Sequence, residues 1–485
     1  MRKPVASIPI ILATIIMLVI IALPTPDSLP VAGQRMLGIL VFAIIVWVTE
    51  AFSYEASAIT ITALIAILIG LAPSIENPDV MIGTSKAMSM ALSGFANSAL
   101  ALVAGALFLA AAMTYTGLDK RIALYTLNKI GTSARRIYLG AIIVTIILSL
   151  LVPSATARSA AVVPIMMGVI AAFNINKNSN FAAGLMIIVA QATSVWNVGI
   201  QTAAAQNLLT LGFMERMLNE KVSWGDWLLA GAPWSVLMSF VVVFVVYKML
   251  PPDTSALADG KEAVQKSLQE LGPMTTAQKK LLSLSIILLI LWATGGKFHP
   301  FDTTTITYAG LVYLLLPNWG VMPWSEIQKR IPWGTIIVFG VGISLGTTLL
   351  TTQAGQWLAG QVILYTGLDQ FGPFAVFASL ALFLIVIHLG FASATALTSA
   401  MMPILIALLI GLDNGVNTVG MSMLLGFVMS YGFILPINAP QNMVCLGTNT
   451  FTARQFAKTG IVITILGYAL MLLFSLTYWD WLGWM

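Results

Sequence analysis

Residues 136–174 and 372–412 are apolar runs roughly twice as long as one bilayer crossing requires. Each is broken near its middle by a short polar patch, "VPSATAR" in the first and "GFASATA" in the second. A crossing helix takes about 20 residues, and non-helical backbone at membrane depth survives only where protein buries it or where it lines a cavity. Runs of this length with polar centres therefore predict re-entrant helical hairpins that enter and leave on the same side. Two more long runs, 180–213 and 417–449, carry the interruptions "SVWNVGIQTAAAQN" and "SYGFILPINAPQN" and predict broken helices. The runs 7–24, 35–52, 56–73, 98–118, 228–250, 281–295, 303–318, 332–358 and 457–480 read as single spans. The expected fold class is an all-α polytopic membrane protein with about eleven transmembrane helices, two hairpins and two broken helices.

Composition excludes a soluble alternative. Charged residues are 8% of the 485 residues and hydrophobic residues 59%, whereas a soluble domain carries about 25% charged residues. The first run follows Arg2 and Lys3 as a signal peptide would, but it lacks a small-residue cleavage site and is read as a helix. Cys445 is the one cysteine, and His299 and His388 are the two histidines, so no internal disulfide, metal centre or cofactor is expected. The net charge of +5 does not indicate a nucleic-acid partner; in a bilayer the placement of positive charge carries the information. With the N-terminus cytoplasmic and both hairpins non-crossing, seventeen of the 23 lysines and arginines fall inside and five outside. Arg158 is left over, within the first hairpin. The C-terminus is then outside, the first hairpin opens to the cytoplasm and the second to the exterior. The expected organisation is an N-terminal helix (1–34), a first repeat (35–250), a cytoplasmic linker (251–280) and a second repeat (281–485), in a bacterial cytoplasmic membrane.

Self-similarity supports the division. Aligning Ser154 with Ser393 matches 154–165 to 393–404 at seven of twelve positions. "AAAQNLLTLG" (203–212) matches "NAPQNMVCLG" (438–447), sharing Gln206/Gln441 and Asn207/Asn442. "TYTG" (114–117) and "TTQAG" (351–355) form a weaker third pair, and the offsets are 239, 235 and 238. The two copies of the hairpin open on opposite sides, so the repeats are inverted. That architecture places substrate near the midplane, between the repeats.

Helix ends at the hairpin tips and breaks present unpaired N–H groups and a positive partial charge, and serine and threonine add hydroxyl donors. Two such ends suit an anion with two carboxylates. The alternative is that the tip hydroxyls bond only their own helices. Arg158 is the strongest single signal, because a charge at bilayer depth costs from about 2.5 to more than 10 kcal/mol unless something solvates it. The alternative is an arginine that snorkels to the interface. His388 precedes the second tip and otherwise reads as a neutral ring bonded to a carbonyl. Glu50 and Glu55 flank a short inside turn and read as interfacial.

"WVTEAFSYEASAI", "GLDKRIALYTLNKIG", "PWGTIIVFGVGISLG", the two hairpins and the breaks ending in Gln-Asn together resemble the divalent anion/sodium symporter family. The resemblance implies a homodimer in which each protomer has a scaffold and a transport domain that moves as an elevator. It also implies that substrate carboxylates meet the tip triplets, here Ser154, Ala155, Thr156 and Ser393, Ala394, Thr395. The break positions carried over are Ala203, Ala204, Ala205 and Asn438, Ala439, Pro440. Family members place sodium between each tip and its neighbouring break. This chain departs from the pattern: the triplet asparagine is Ala155 in one copy and Ala394 in the other, and alanines replace the first proline pair. These changes remove oxygens from the sodium sites. Arg158 and His388 are the candidates to supply positive charge in their place, and sodium-independent exchangers of the family also carry "TAR" after the tip serine.

The reading is a sodium-independent exchanger of C4 or C5 dicarboxylates such as succinate, malate, fumarate or 2-oxoglutarate. A sodium-coupled di- or tricarboxylate symporter and a sulfate transporter fit the same fold. An enzyme would need a nucleophile, an acid–base pair or metal ligands within the spans, which show one histidine, one arginine and no paired Asp or Glu, and a channel has no need of inverted hairpins.

Overall fold

The computed structural model describes residues 7–130, 133–172, 175–253, 260–412 and 415–485. Among the described residues the structure is helical, with two isolated bridges, Pro73–Met81 and Gly295–His299. Among the described residues nine helices are long and apolar enough to cross a membrane, and two of these, Ala134–Leu151 and Ala394–Gly411, are hairpin arms. Shorter apolar helices, among them Tyr54–Ile69, Thr303–Leu315 and Thr418–Val428, complete the expected crossings.

The element order repeats. Val31–Thr49, Tyr54–Ile69, Ser98–Thr116 and Leu118–Ile130 lead to the first hairpin, Ala134–Leu151 and Ala155–Ala172. The first broken helix follows as Asn180–Gly199 and Ala205–Leu218, and Trp224–Met249 closes the repeat. The second repeat runs Thr276–Thr294, Thr303–Leu315, Trp333–Thr351 and Ala354–Thr366, then the hairpin Pro373–His388 and Ala394–Gly411. Its broken helix is Thr418–Val428 and Pro440–Leu446, and Ala453–Ser475 closes it. Each repeat holds an odd number of crossings, so the second is inverted relative to the first.

Residues 332–358 are not one span. The helix ends at Thr351, Gln353 turns the chain at φ 60°, and Ala354–Thr366 starts a separate helix. The equivalent turn in the first repeat is Gly117 at φ 66°, followed by Leu118–Ile130. The weak "TYTG"/"TTQAG" similarity marks this shared turn. A glutamine gives no sequence warning of a left-handed residue, as glycine does. Within the expected linker 251–280, the capping box of Thr275 and Gln278 starts the next helix at Thr276. The preceding linker helix, Gly260–Glu270, is held by Arg121, whose guanidinium donates to the carbonyls of Leu271 and Gly272, both at 3.0 Å.

The closing helices back directly onto the breaks. A Cβ at Gly231 would come closer than 3.0 Å to the Val198 carbonyl oxygen, and one at Gly460 would do the same to that of Phe433. Val198 and Phe433 are equivalent under the break offset of 235. Trp227 Nε1 also donates to the Val198 carbonyl at 2.9 Å.

Candidate functional site

The tips form because Ser154 and Ser393 start the returning arms in the same way. Ser154 Oγ accepts from the Ala157 amide at 3.3 Å, and Ser393 Oγ from the Ala396 amide at 3.2 Å. Each serine caps its own helix, and that use of the oxygen leaves the O–H as a donor. Thr156 is exposed and Thr395 half-buried, and neither hydroxyl makes a hydrogen bond among the described residues. Ala155 is half-buried and Ala394 buried, and neither brings a polar side-chain group to its tip.

The breaks match closely. Ala204 is extended at φ −146° and ψ 145° after a 3-10 turn at Gln201–Ala203, and Ala439 at φ −149° and ψ 138° after one at Pro436–Asn438. Neither alanine offers a side-chain cap to the half-helix that follows. Ala203, Ala204, Asn438 and Ala439 are buried, Ala205 is half-buried and Pro440 exposed.

Arg158 joins the first tip to the first break. Its Nη1 donates to the Val152 carbonyl at 3.0 Å and to the Ala203 carbonyl at 2.7 Å, and its Nη2 to Asn197 Oδ1 at 2.5 Å. The residue is 1% exposed, so the guanidinium does not snorkel to a surface. No acidic side chain pairs with it: the ion pairs among the described residues are Lys221–Glu215, Lys329–Glu326 and Arg330–Glu326. The charge is held by oxygen dipoles and remains uncompensated within the protein.

The second half achieves the same connection without a cation. Asn438 Nδ2 donates to the carbonyls of His388 and Phe391, both at 2.8 Å. Val152 and Phe391 are separated by the tip offset of 239, so one carbonyl position is satisfied by Arg158 in one repeat and by Asn438 in the other. His388 is 1% exposed, and among the described residues neither ring nitrogen has a partner at full hydrogen-bond geometry. It ends the entering arm Pro373–His388, directly before the second tip.

Asn197 and the linking role of Asn438 were not read from sequence. The available signal was an amide inside an otherwise apolar span; the carbonyls of Val152, Ala203 and Phe391 leave none. A cavity of about 400 Å³ lies against the first returning arm, lined in part by Lys120, Pro164 and Ser267, and its lining includes none of the tip or break residues.

Two inverted repeats, each with a hairpin tip tied to a broken helix, define a secondary transporter of the multi-pass helical class. The chain belongs to the family described as the sodium:sulfate symporter transmembrane region, whose model matches residues 5–485, the divalent anion/sodium symporter family. It is 65% identical over 96% of its length to a membrane protein of Cupriavidus necator, covering 91% of that protein. It is 25% identical to the sodium-dependent dicarboxylate transporter SdcS of Staphylococcus saprophyticus, over 96% of this chain and 89% of that one. It is 27% identical to the L-tartrate/succinate antiporter of Escherichia coli, over 81% of each chain. Among solved structures, the YdaH transporter of Alcanivorax borkumensis shares the fold at a TM-score of 0.56 and 13% identity, covering 87% of this chain and 96% of that one. The Neisseria gonorrhoeae efflux pump MtrF does so at 0.54 and 14%, covering 95% and 97%.

Proposed function

We propose that the protein is a sodium-independent dicarboxylate:dicarboxylate antiporter of the cytoplasmic membrane, with its N-terminus inside. The observation that carries this reading is the buried, carboxylate-free Arg158 between the first tip and break. Family members place sodium there, and here a guanidinium already occupies the oxygens of Val152, Ala203 and Asn197. A fixed charge cannot leave with the substrate. An empty carrier keeps that charge and resists crossing the bilayer, because an uncompensated ion in hydrocarbon is costly. A bound dianion supplies the missing negative charge, so the loaded carrier crosses and returns only with another dianion. The hydroxyls of Ser154, Thr156, Ser393 and Thr395 and the helix ends at Ala155, Ala204, Ala205, Ala394, Ala439 and Pro440 are the proposed contacts for C4 or C5 substrates such as succinate. His388 is the proposed second source of charge, through a ring that a substrate carboxylate can engage. The carrier is proposed to act as a homodimer by an elevator movement.

The names of the relatives support the class of substrate, and they include both a sodium-dependent transporter and an antiporter. The second reading, sodium-coupled di- or tricarboxylate or sulfate symport, rests on the former and on the family's description. Uptake of labelled succinate into proteoliposomes separates the two. The expected result is uptake only into liposomes preloaded with unlabelled dicarboxylate, at a rate indifferent to sodium. Sodium-requiring uptake into empty liposomes overturns the antiporter.

A further inference from the structure

The Gln-Asn pair recurs at both breaks, and its two members do different work. The asparagines staple their own breaks. Asn207 Nδ2 donates to the Asn197 carbonyl at 2.6 Å, and Asn442 Nδ2 to the Gly432 carbonyl at 2.8 Å. Asn197 and Gly432 are equivalent under the offset of 235, so this staple is symmetric. The glutamines leave their own repeat. Gln206 Nε2 donates to Ser430 Oγ at 3.1 Å, and Gln441 Nε2 donates to Ser194 Oγ at 3.1 Å. Gln191 crosses as well, from its Nε2 to the Phe433 carbonyl at 2.9 Å. All of these residues are buried, where a hydrogen bond is electrostatically stronger than in water and a broken one is costly.

The packing is interleaved in the same sense. The half-helix Pro440–Leu446 of the second repeat packs on the first returning arm, and Ala205–Leu218 of the first repeat packs on the second returning arm. Each tip therefore rests on an element of the other repeat, and the glutamine bridges lie where the two breaks meet.

We propose that Gln206 and Gln441 are positioning residues that fix the separation between the two half-sites. That separation selects the distance between the two carboxylates of the substrate. The inference rests on the dicarboxylate reading above and adds a residue-level determinant of chain length.

The test is exchange kinetics in proteoliposomes with four-carbon succinate and six-carbon adipate, for wild type, Gln441→Ala, Ser194→Ala, the double variant, and the matching Gln206 and Ser430 set. Losing one buried hydrogen bond corresponds to about a three- to tenfold change in an equilibrium. The expected result is a succinate KM raised by about that factor, an adipate KM raised less, and Vmax little changed. The double variant should be no worse than either single variant, and Ser194→Thr should restore the wild-type ratio by returning the hydroxyl. Equal rises in both KM values, a fall in Vmax alone, or fully additive single effects would overturn the proposal. A thermal-unfolding cycle of the same four proteins in detergent needs no substrate: non-additive shifts support the bridge, and additive ones overturn it. Failure of wild type to exchange any dicarboxylate, with the thermal coupling intact, defeats the transport reading and leaves the bridge standing.

Discussion

Arg158 and Asn438 satisfy the same backbone position from different origins. Arg158 reaches the Val152 carbonyl from within the first hairpin, and Asn438 reaches the Phe391 carbonyl from the second break. The repeats thus keep one geometric requirement, that a tip be tied to its break, and meet it with a charged group once and a neutral group once.

Arg158→Ala should reduce dicarboxylate exchange by about a hundredfold or more, since truncating one member of a buried, hydrogen-bonded charge network costs 2–5 kcal/mol or above. Arg158→Lys should fail nearly as badly. An ammonium is a point donor and cannot span the carbonyls and the Asn197 amide as the planar fork does. Initial rates of succinate exchange, normalised to reconstituted protein, check both. An unchanged rate in Arg158→Ala removes the arginine from the mechanism.

The tie and the charge can be separated. Ala203 is the first-repeat counterpart of Asn438, so Ala203→Asn in an Arg158→Ala background should rebuild a neutral link to the Val152 carbonyl. The expected outcome is recovery of thermal stability in detergent without recovery of exchange. Recovery of both would show that the linkage alone matters.

Gly231→Ala and Gly460→Ala place a Cβ against the carbonyls of Val198 and Phe433, which are backbone atoms that cannot swing aside. Overpacking of this kind costs about 1–3 kcal/mol. Each variant should lower the unfolding temperature and raise the succinate KM, because the closing helix presses on the break itself. Gly168→Ala, where nothing lies within 4 Å of the added atom, is the control and should change neither.

Asp302 supplies a pH-dependent test outside the membrane-spanning segments. Burial raises its pKa, but hydrogen bonds from the Thr305 hydroxyl and from the Thr305 and Thr304 amides outweigh that, and the carboxyl sits below its ordinary value. A depressed folded-state pKa stabilises above the unfolded carboxylate value of about 3.9 and loses that contribution as pH falls through the folded value. Unfolding temperatures measured from neutral to acid pH should show this loss in wild type. Asp302→Asn keeps the cap on Thr303–Leu315 and should remove that part of the pH dependence, whereas Asp302→Ala should lower stability at neutral pH by about 1 kcal/mol.

The hairpins and breaks were legible because apolar length and polar interruption are direct consequences of the bilayer. Ser154 and Ser393 could be placed at tips because the phrase around them repeats. The turn at Gln353 was hidden, since the apolar run continues through it and the residue carries no turn signature. The helix Leu118–Ile130 gives no span signal, because it is too polar to cross a bilayer. Arg158 was conspicuous as a charge, but its acceptors are mainly backbone oxygens, which no residue letter encodes. Asn438 stood in a recurring motif, yet its contacts with the carbonyls of His388 and Phe391 depend on how the second tip closes over the break.

The interleaving of tips with half-helices makes each repeat incomplete without the other. A chain consisting of one repeat would present a tip without the half-helix it rests on and a glutamine without its serine. Such a chain could complete a site only by pairing with a copy inserted in the opposite orientation. In this chain the segment that Arg121 holds joins the two repeats covalently, so each tip meets its half-helix within one polypeptide.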